Sequence, residues 1–233
     1  KGFSHPEQER GNTFVGPACP SHCMLEDESS GPGYSRTCGT CLTMEPSPAQ
    51  RLRIVHVVDT LEIGGAERLV ALIGRLQKQA GHEVRVVCLF SLGPLAEELR
   101  GLGIPVELVG PGRIWRLMPA LVRCFRRLRP HVVHCHNATP GIMASIPARM
   151  AGVRVVLDTR HGLVPPPYNV VRERKFWTAA RWMNAVVAVC DATRRNLGNA
   201  PGAVPGKVVR IYHGTEPPAG GELPEPSAGG VEF

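Results

Sequence analysis

The chain has 233 residues, of which 43% are apolar and 5% aromatic, enough for one sizeable hydrophobic core with flanking segments. No apolar run approaches the roughly 20 residues that a membrane-spanning helix needs, and no basic segment followed by an apolar one opens the sequence. These features argue against a membrane-spanning chain, and we expect one main domain in the cytoplasm.

The net charge of +7 is distributed unevenly along the chain. Residues 1–50 carry 3 basic and 6 acidic side chains, residues 51–210 carry 24 and 10, and residues 211–233 carry 0 and 4. Such a basic middle favours partners that bear phosphate, whether nucleic acid, anionic lipid or a nucleotide-sugar. Nucleic acid is the least favoured, because the sequence has no helix-turn-helix, zinc-finger or RNP-type motif and few aromatic residues for base stacking.

The first 50 residues are rich in glycine, proline, serine and charge, which predicts a disordered or non-native leader over 1–50. This segment contains one C-x3-C pair and one C-x2-C pair, a spacing that zinc sites use. The four cysteines are Cys19, Cys23, Cys38 and Cys41. Because little apolar material surrounds them, an unstructured leader is favoured over a zinc site.

From residue 53 onwards, short β-branched runs alternate with segments of helical period, a pattern that predicts a parallel sheet covered by helices. The predicted strands are 53–58, 83–90, 105–109, 131–135, 154–159, 185–190 and 207–212. The predicted helices are 66–79, 95–102, 114–128, 140–150, 170–183 and 192–197. Gly81, Gly103 and Gly152 each fall just past a helix end, where a left-handed cap is wanted. We predict an α/β fold: a Rossmann-like parallel sheet with helices on both faces.

A parallel sheet binds its ligands outside the carboxyl ends of its strands, so the residues that follow each strand are the candidate site. Gly64 and Gly65 come after the first strand and directly before a helix, where their amides can approach a phosphate. A plain tight turn is the alternative interpretation, since the glycine-rich dinucleotide fingerprint is absent.

Polar residues also follow the fourth strand. His134 and His136 alternate at the strand end, so we expect one side chain in the core and the other at the crevice. A metal is disfavoured, because no carboxylate or thiolate with ligand spacing accompanies the pair except Cys135 on the opposite side. Contacts from His136 and Asn137 to a hydroxylated ligand are favoured instead.

The fifth strand is followed by Arg160, His161 and Gly162, ahead of a stiff proline loop. An imidazole beside an arginine can hydrogen-bond a sugar hydroxyl or a phosphate and can neutralise charge on a leaving group. A solvated loop histidine is the alternative interpretation.

Eight short segments, taken in order, resemble family 4 glycosyltransferases of the GT-B fold. They are IVHVV at 54–58, GGAER at 64–68, GHEVRVV at 81–87, GI at 103–104, PHVVHCH at 130–136, TRHG at 159–162, VAVC at 187–190 and VRIYHG at 209–214. The resemblance covers residues 53 to about 215 and implies that 51–215 form the amino-terminal, acceptor-side domain. Two positions depart from the family pattern: Cys190 stands where serine is usual, and His213 where asparagine is usual.

The resemblance implies a retaining glycosyltransferase that moves a sugar from a nucleotide-sugar, as substrate, to a hydroxyl acceptor, which would suit a lipid-linked glycan. No cofactor is expected, and amides and cations rather than a metal would stabilise the leaving diphosphate. His161 is implied as the catalytic residue beside the transferred sugar. The predicted donor-binding residues are Gly64, Gly65, Arg160 and Gly162. The predicted acceptor-binding residues are Glu67, Arg68, His136 and Asn137.

Family members bind the donor mainly in a second Rossmann-like domain. After residue 215 the sequence is rich in proline, glycine and glutamate, and we predict a tail or the start of an interdomain linker over 216–233. We therefore expect this half to be inactive alone, with the donor domain supplied in cis or in trans. The alternative is a non-catalytic half that binds acceptor or membrane and recruits a separate donor-binding subunit.

The predicted helix 114–128 has an apolar stripe and a strongly basic opposite side. Its basic residues and the one that follows it are Arg116, Arg123, Arg126, Arg127 and Arg129. An ordinary core-facing helix with a solvated basic face is favoured. Peripheral contact with anionic lipid is the alternative, and it would suit a lipid-linked acceptor.

Overall fold

The computed structural model describes residues 51–110, 114–163, 167 and 169–214. The predicted leader at 1–50, with its four cysteines, and the predicted tail at 216–233 lie outside the described residues. The seven strands are β1 Arg53–Val58, β2 Glu83–Cys88, β3 Val106–Leu108, β4 Val132–His136, β5 Val155–Arg160, β6 Ala185–Ala188 and β7 Val208–Arg210. The six α-helices are α1 Gly65–Gln79, α2 Leu95–Gly101, α3 Ile114–Leu128, α4 Ala138–Met150, α5 Val170–Ala180 and α6 Asp191–Gly198.

The strands form one sheet in the order β3-β2-β1-β4-β5-β6-β7, and every neighbouring pair is parallel. From β1 the chain moves outward to β3, then returns across the sheet and places β4 on the other side of β1. A sheet of this order has its ligand crevice where the direction of winding changes, outside the carboxyl ends of the strands. The predicted α/β class is confirmed by this topology.

The two faces of the sheet are buried under different helices. Leu121 and Phe125 of α3 share one apolar cluster with Val55 and Val57 of β1, a cluster that also contains residues of α4 and α5. The opposite face is covered by α1 and α2, whose Val70 and Leu99 pack with Val58. Because side chains alternate along a strand, His56 faces the same side as Val58 and lies beneath α1. Helices on both faces were predicted, and the prediction is confirmed.

The element ends were predicted to within three residues. Gly81, Gly103 and Gly152 adopt φ values of +88°, +68° and +84°, which confirms their capping role. The prediction continued α5 to residue 183, whereas the helix ends at Ala180, and the amides of Trp182 and Met183 form tighter i→i−3 bonds. At α6, Cys190 takes over the cap expected of a serine, since its Sγ accepts a hydrogen bond from the Thr193 amide at 3.4 Å.

The helix α3 has the core-facing orientation that the sequence favours. Its buried side chains are Leu117, Leu121, Val122, Cys124 and Phe125. Arg123 and Arg126 are exposed on the opposite side, and Arg127 forms an ion pair with Glu107 on β3. Contact between this basic side and anionic lipid stays a prediction.

Gly141 in α4 allows close packing against β5. A Cβ atom at this position would lie 2.5 Å from Asp158 Oδ2 and 3.0 Å from the Phe176 ring. We expect Gly141→Ala to lower the free energy of unfolding by about 1–3 kcal/mol, because the extra methyl group overpacks the core. Urea denaturation measures the effect. The matched control is Gly101→Ala at the end of α2, where a Cβ meets nothing within 4 Å and stability should not fall. Equal effects at the two positions would count against the packing account.

Candidate active site

Two adjoining cavities open where the chain leaves β1, β4 and β5, an edge that we call the rim. The first is a narrow cleft lined by Glu67 of α1 together with Asp59, His136 and Asn137. The second has a volume of about 320 Å³, shares Asp59 and Asn137 with the first, and continues past the exit of β5. Its further lining residues include Ala138, Arg160, Gly162, Leu163 and Arg172. The rim therefore brings together residues predicted from three separate segments of the sequence.

His161 follows β5 and is bonded to two residues that line the rim cavities. Its Nε2 atom lies 2.9 Å from His136 Nδ1, and its backbone amide donates a hydrogen bond to Asn137 Oδ1 at 3.2 Å. Burial, and then the nearby His213 ring, lower the pKa of His161 to about 4. The ring is therefore neutral at neutral pH, which suits it to hydrogen bonding with a hydroxyl rather than to countering the charge of a phosphate.

Asn137 holds an unusual backbone conformation directly after β4. Its φ of 72° and ψ of 173° fall in a region that glycine occupies almost exclusively, at a cost of about 1–3 kcal/mol for other residues. The backbone N–H of Asn137 donates to the Thr159 carbonyl at 2.8 Å. The Asn137 side chain does not cap α4, and its Oδ1 accepts a hydrogen bond from the His161 backbone N–H. The strained turn thus anchors the loop that carries the candidate catalytic histidine.

Asp59 is a rim residue that the predictions did not include among the site residues. Burial raises the pKa of its carboxyl to about 6, with a smaller lowering by Arg172 and a further raising by Glu67. The carboxyl is still mostly ionised at neutral pH and can accept hydrogen bonds from hydroxyl groups in the shared cavities. The sequence did contain a signal for Asp59: it is the first residue after β1, and ligands of parallel sheets bind where the strands end.

Arg160 lies in the protein interior rather than free in the crevice. Its Nη2 atom is 3.5 Å from Glu173 Oε1, and the guanidinium lies 4.6 Å from the centre of the Phe176 ring. Only 5% of the Arg160 side chain and 1% of the Glu173 side chain are exposed. The buried pair joins α5 to β5. Arg160 also lines the larger cavity, and only that part of the residue is available to a ligand. Its role as a donor ligand stays a prediction.

Asp158, two residues earlier, is buried on the same side of β5. Neither carboxyl oxygen has a hydrogen-bond partner among the described residues. Burial raises the pKa of Asp158 well above its usual range, against a lowering by Arg160 and a raising by Asp59. Burial therefore favours the protonated form of the group, which packs closely against Gly141.

Gly64, which caps α1, and Gly65, its first residue, leave the start of the helix accessible. A Cβ atom at Gly65 would meet nothing within 4 Å, and one at Gly64 would meet only the flexible Glu67 side chain. Ala66, which follows Gly65, lines the same cleft as His136, so the start of α1 and the His161 loop belong to one rim. Gly65 and Arg68 both line an open groove of about 770 Å³ between α1 and α2. Neither residue lines the two cavities on the rim.

Three histidines crowd the face of the sheet beneath α1. The rings of His134 and His136 have centroids 4.3 Å apart, and both neighbour His56 on β1. The prediction that His134 and His136 point to opposite sides is wrong, because residues two apart on a strand share a face. Cys135, between them, is buried in the apolar cluster of the opposite face, as expected.

Hydrogen bonds connect these rings to their surroundings. His134 Nε2 lies 2.7 Å from Thr159 Oγ1, and His56 Nε2 lies 2.8 Å from Gln77 Oε1. One nitrogen from each of His56, His134 and His136 falls within 4.8 Å of the others, so within the described part of the chain these three residues could hold a metal ion. Direct bonds between neutral rings account for the arrangement without an ion, and the absence of a metal stays a prediction.

The buried histidines make the stability depend on pH. Burial lowers the pKa of His56 to about 4, of His134 to about 3 and of His136 well below 6.5. Between about pH 6.5 and 4 the unfolded chain binds three protons that the folded chain lacks, each costing about 1.4 kcal/mol per pH unit. Asp158 and Asp59 act in the opposite direction, because their raised pKa values protonate the folded form first. Because three histidines lower the free energy of unfolding on acidification and only two carboxyls raise it, the net effect is a loss of stability.

We therefore expect the free energy of unfolding to fall by at least about 1.4 kcal/mol per pH unit as the pH drops from about 6 to 4. Urea denaturation midpoints measured across this range test the sign. A flat profile, or a chain that becomes more stable on acidification, would contradict the placement of the neutral histidines.

The order of the sheet and the helices on its two faces define a Rossmann-like domain, and the polar rim lies at the point where the winding changes direction. Residues 63–217 match the model of Glycosyltransferase Family 4. That match covers more than half of the chain, which therefore belongs to this family and confirms the resemblance found in the sequence.

Known relatives agree with this assignment. The chain is 24% identical over 151 residues to the Escherichia coli UDP-Gal:alpha-D-GlcNAc-diphosphoundecaprenol alpha-1,3-galactosyltransferase, covering 62% of this chain and 38% of the relative. Among solved structures it resembles Anabaena HepE in complex with UDP-glucose, with a TM-score of 0.62 and 18% identity over 71% of this chain and 45% of HepE. A Rickettsia africae glycosyltransferase gives a TM-score of 0.56 and 17% identity over 70% and 43%.

The chain thus spans less than half the length of the relatives it matches. At this level of identity the solved structures support the fold alone. Among the helices that the structure describes, none is both long and apolar enough to cross a lipid bilayer.

Proposed function

We propose that the chain forms the acceptor side of a retaining glycosyltransferase that moves a sugar from a UDP-sugar to a hydroxyl group of a lipid-linked glycan. The observation that carries the proposal is the meeting, at one rim, of the open start of α1, the Asp59 carboxyl, the strained Asn137 and the neutral His161. The Escherichia coli relative, whose name contains both UDP-galactose and a diphosphoundecaprenol-linked sugar, supports this choice of substrates.

The donor diphosphate is assigned to the start of α1. Free amide groups and the helix dipole at a helix N-terminus attract negative charge, and Gly65 leaves the space beside them open. In this proposal Gly64 and Gly65 approach the diphosphate, while Arg160 and Gly162 contact the donor from the β5 side of the rim. The developing charge is stabilised by amides and cations, so removal of divalent metal with EDTA should leave transfer unchanged.

The acceptor is assigned to the cavity of about 320 Å³ beside β4 and β5. This cavity offers the Asp59 carboxylate, the Asn137 amide and the Arg172 guanidinium, a set that matches several hydroxyl groups on one sugar. Glu67 and His136 extend the polar lining into the adjoining cleft. Because Arg68 lines a different groove, its proposed contact with the acceptor requires a long acceptor that reaches past α1.

Peripheral membrane contact would bring the protein to a lipid-linked acceptor. Val170 and Val171 are exposed apolar residues at the start of α5, next to the exposed basic residues Arg172 and Arg174, and Leu163 is an exposed apolar residue that lines the same cavity as Arg172. This combination suits the surface of an anionic bilayer on the cytoplasmic side. Sedimentation with vesicles of phosphatidylglycerol should retain the protein, and vesicles of phosphatidylcholine should not. Equal retention by both would remove this part of the proposal.

The donor-binding domain is proposed to lie outside the described residues, in cis or in a partner chain. Titration of this chain alone with UDP-sugars tests the division of labour: we expect weak or undetectable binding, because most donor contacts belong to the second domain. Sub-millimolar affinity for a UDP-sugar would contradict it. A non-catalytic half that recruits a donor-binding subunit is the second candidate, and purification of the protein with a partner chain that binds UDP-sugars would favour it.

A further inference from the structure

A row of hydrogen-bonded side chains runs along the α1 face of the sheet to the rim. Gln77 Oε1 lies 2.8 Å from His56 Nε2, His56 Nδ1 lies 2.9 Å from His136 Nε2, and His136 Nδ1 lies 2.9 Å from His161 Nε2. We call these four residues the histidine row. Both ring nitrogens of His56 and of His136 are used within it, so neither ring has a nitrogen left for another partner.

The rings of the row are neutral. Burial lowers the pKa of His56 and His161 to about 4 each and that of His136 well below its usual range. A neutral imidazole has one N–H group and one nitrogen lone pair, so each ring donates at one end of the row and accepts at the other. Two arrangements of the whole row are therefore possible, with all N–H groups directed either towards Gln77 or towards His161.

Gln77 decides between them. In the observed orientation its Oε1 atom, and not its NH2 group, faces His56 Nε2; a carbonyl oxygen only accepts, so His56 Nε2 carries a hydrogen. His56 Nδ1 then accepts from His136 Nε2–H, and His136 Nδ1 accepts from His161 Nε2–H. His161, being neutral, keeps its lone pair on Nδ1. That Nδ1 atom is buried and has no hydrogen-bond partner in the part of the chain that the structure describes.

We propose that Gln77 and His56 are positioning residues: through His136 they hold His161 in the Nε2–H tautomer, so that its Nδ1 atom is an acceptor reserved for a hydroxyl group of the bound sugar. The identity of this ligand rests on the proposed function, whereas the tautomer does not. An ionised phosphate oxygen has no hydrogen to give and cannot pair with a lone pair. His161 therefore selects a sugar hydroxyl, and the diphosphate must be bound elsewhere on the rim.

The groups around the row leave its direction undisturbed. His134 lies beside His136 with its ring tilted, but its Nε2 bonds to Thr159 and takes no part in the row. Asp59 and Glu67 line the cleft at His136, yet among the described residues no carboxylate is hydrogen-bonded to a ring of the row. The rings therefore lack the anionic partner that would favour a charged imidazolium or a reversed tautomer.

The proposal is tested with the chain carrying ¹⁵N in its histidine rings, near neutral pH and without any ligand. Long-range ¹H–¹⁵N spectra distinguish a protonated ring nitrogen from one with a free lone pair. We expect Nε2 to be protonated and Nδ1 to be free in His56, His136 and His161. A protonated Nδ1 in His161 would overturn the proposal.

The variant Gln77→Met removes the acceptor at one end of the row, and the atom that should respond, His161 Nδ1, is in the ring at the other end. Gln77 is only half-buried, so the fold should tolerate the change. We expect a second population of His161 with protonated Nδ1. Gln79→Met, at an exposed position two residues further along α1, is the matched control. An unchanged His161 tautomer in Gln77→Met overturns the proposal, as does tight binding of added Zn²⁺ to His56 and His136, because a metal needs a nitrogen that the row uses to donate.

A separate activity measurement keeps this proposal distinct from the proposed function. In the enzyme completed with its donor domain, Gln77→Met should have a kcat/KM at least about 10-fold below that of the Gln79→Met control, since a wrong histidine tautomer removes a needed acceptor. The two variants should have the same melting temperature. If the spectra agree with the row but the wild-type enzyme transfers no sugar, the proposed function fails and the row stands. If transfer occurs and Gln77→Met leaves it unchanged, the row has no part in selecting the hydroxyl.

Discussion

Replacing His161 with alanine is expected to lower kcat/KM for sugar transfer by about 100-fold or more in the enzyme completed with its donor domain. Loss of one well-placed hydrogen-bonding group beside a reaction centre has an effect of this size. The fold should survive, because His161 lies on a rim loop and is only partly buried. Initial rates with a UDP-sugar and a lipid-linked sugar acceptor measure the effect.

The control for this prediction is His82→Ala. His82 is also a partly buried histidine with a backbone partner, the Leu52 amide at 3.5 Å, but it precedes β2 at the opposite edge of the sheet. Its loss should leave transfer within about 2-fold of wild type, as expected for a residue that makes no contact with the substrate. Equal losses in the two variants would show that His161 acts only through stability.

Asn137 is the position where stability and activity should separate most clearly. Asn137→Gly removes the backbone strain, whereas Asn137→Ala keeps it, and both delete the bond from the side chain to the His161 amide. We therefore expect the glycine variant to be more stable than the alanine variant by about 1–3 kcal/mol, contrary to the usual order of these residues. Both variants should lose most of their transfer activity, because the His161 loop is no longer anchored.

Asn199 provides the comparison. It ends α6 with an ordinary φ of −92°, so glycine has no advantage there and should be no more stable than alanine. Urea denaturation of the four variants gives the two differences. An alanine variant at Asn137 as stable as the glycine variant would show that the turn after β4 carries no strain.

Local pattern was sufficient to predict the fold. Each strand is a β-branched run and each helix has its own apolar period, so the α/β class and every element could be placed without knowledge of the contacts between them. Errors were confined to element ends, as at α5, where tight bonds after Ala180 replace a final helical turn. Such ends depend on packing and differ by one or two residues among methods of assignment.

The site was predicted in outline only, because its chemistry depends on contacts across the sheet. His56 meets His136 since β1 pairs with β4, which are 80 residues apart at these positions. Arg160 turns inward because Glu173, on a helix that follows, reaches it. Neither contact has a signal in local sequence. The shared face of His134 and His136 did have a signal in the sequence, because side chains two residues apart on a strand lie on the same face, but the prediction placed them on opposite sides.

The most direct test of the account is an assay of sugar transfer with the two halves of the enzyme, separately and together. Radiolabelled UDP-sugars, with GDP- and ADP-sugars as alternatives, are offered with a polyprenyl-diphosphate sugar as acceptor. The account predicts label in the lipid fraction only when this chain is joined by its donor domain, with retained anomeric configuration and with strong loss in His161→Ala. Transfer by the donor domain without this chain, or no transfer from any of these donors by the completed enzyme, would contradict it.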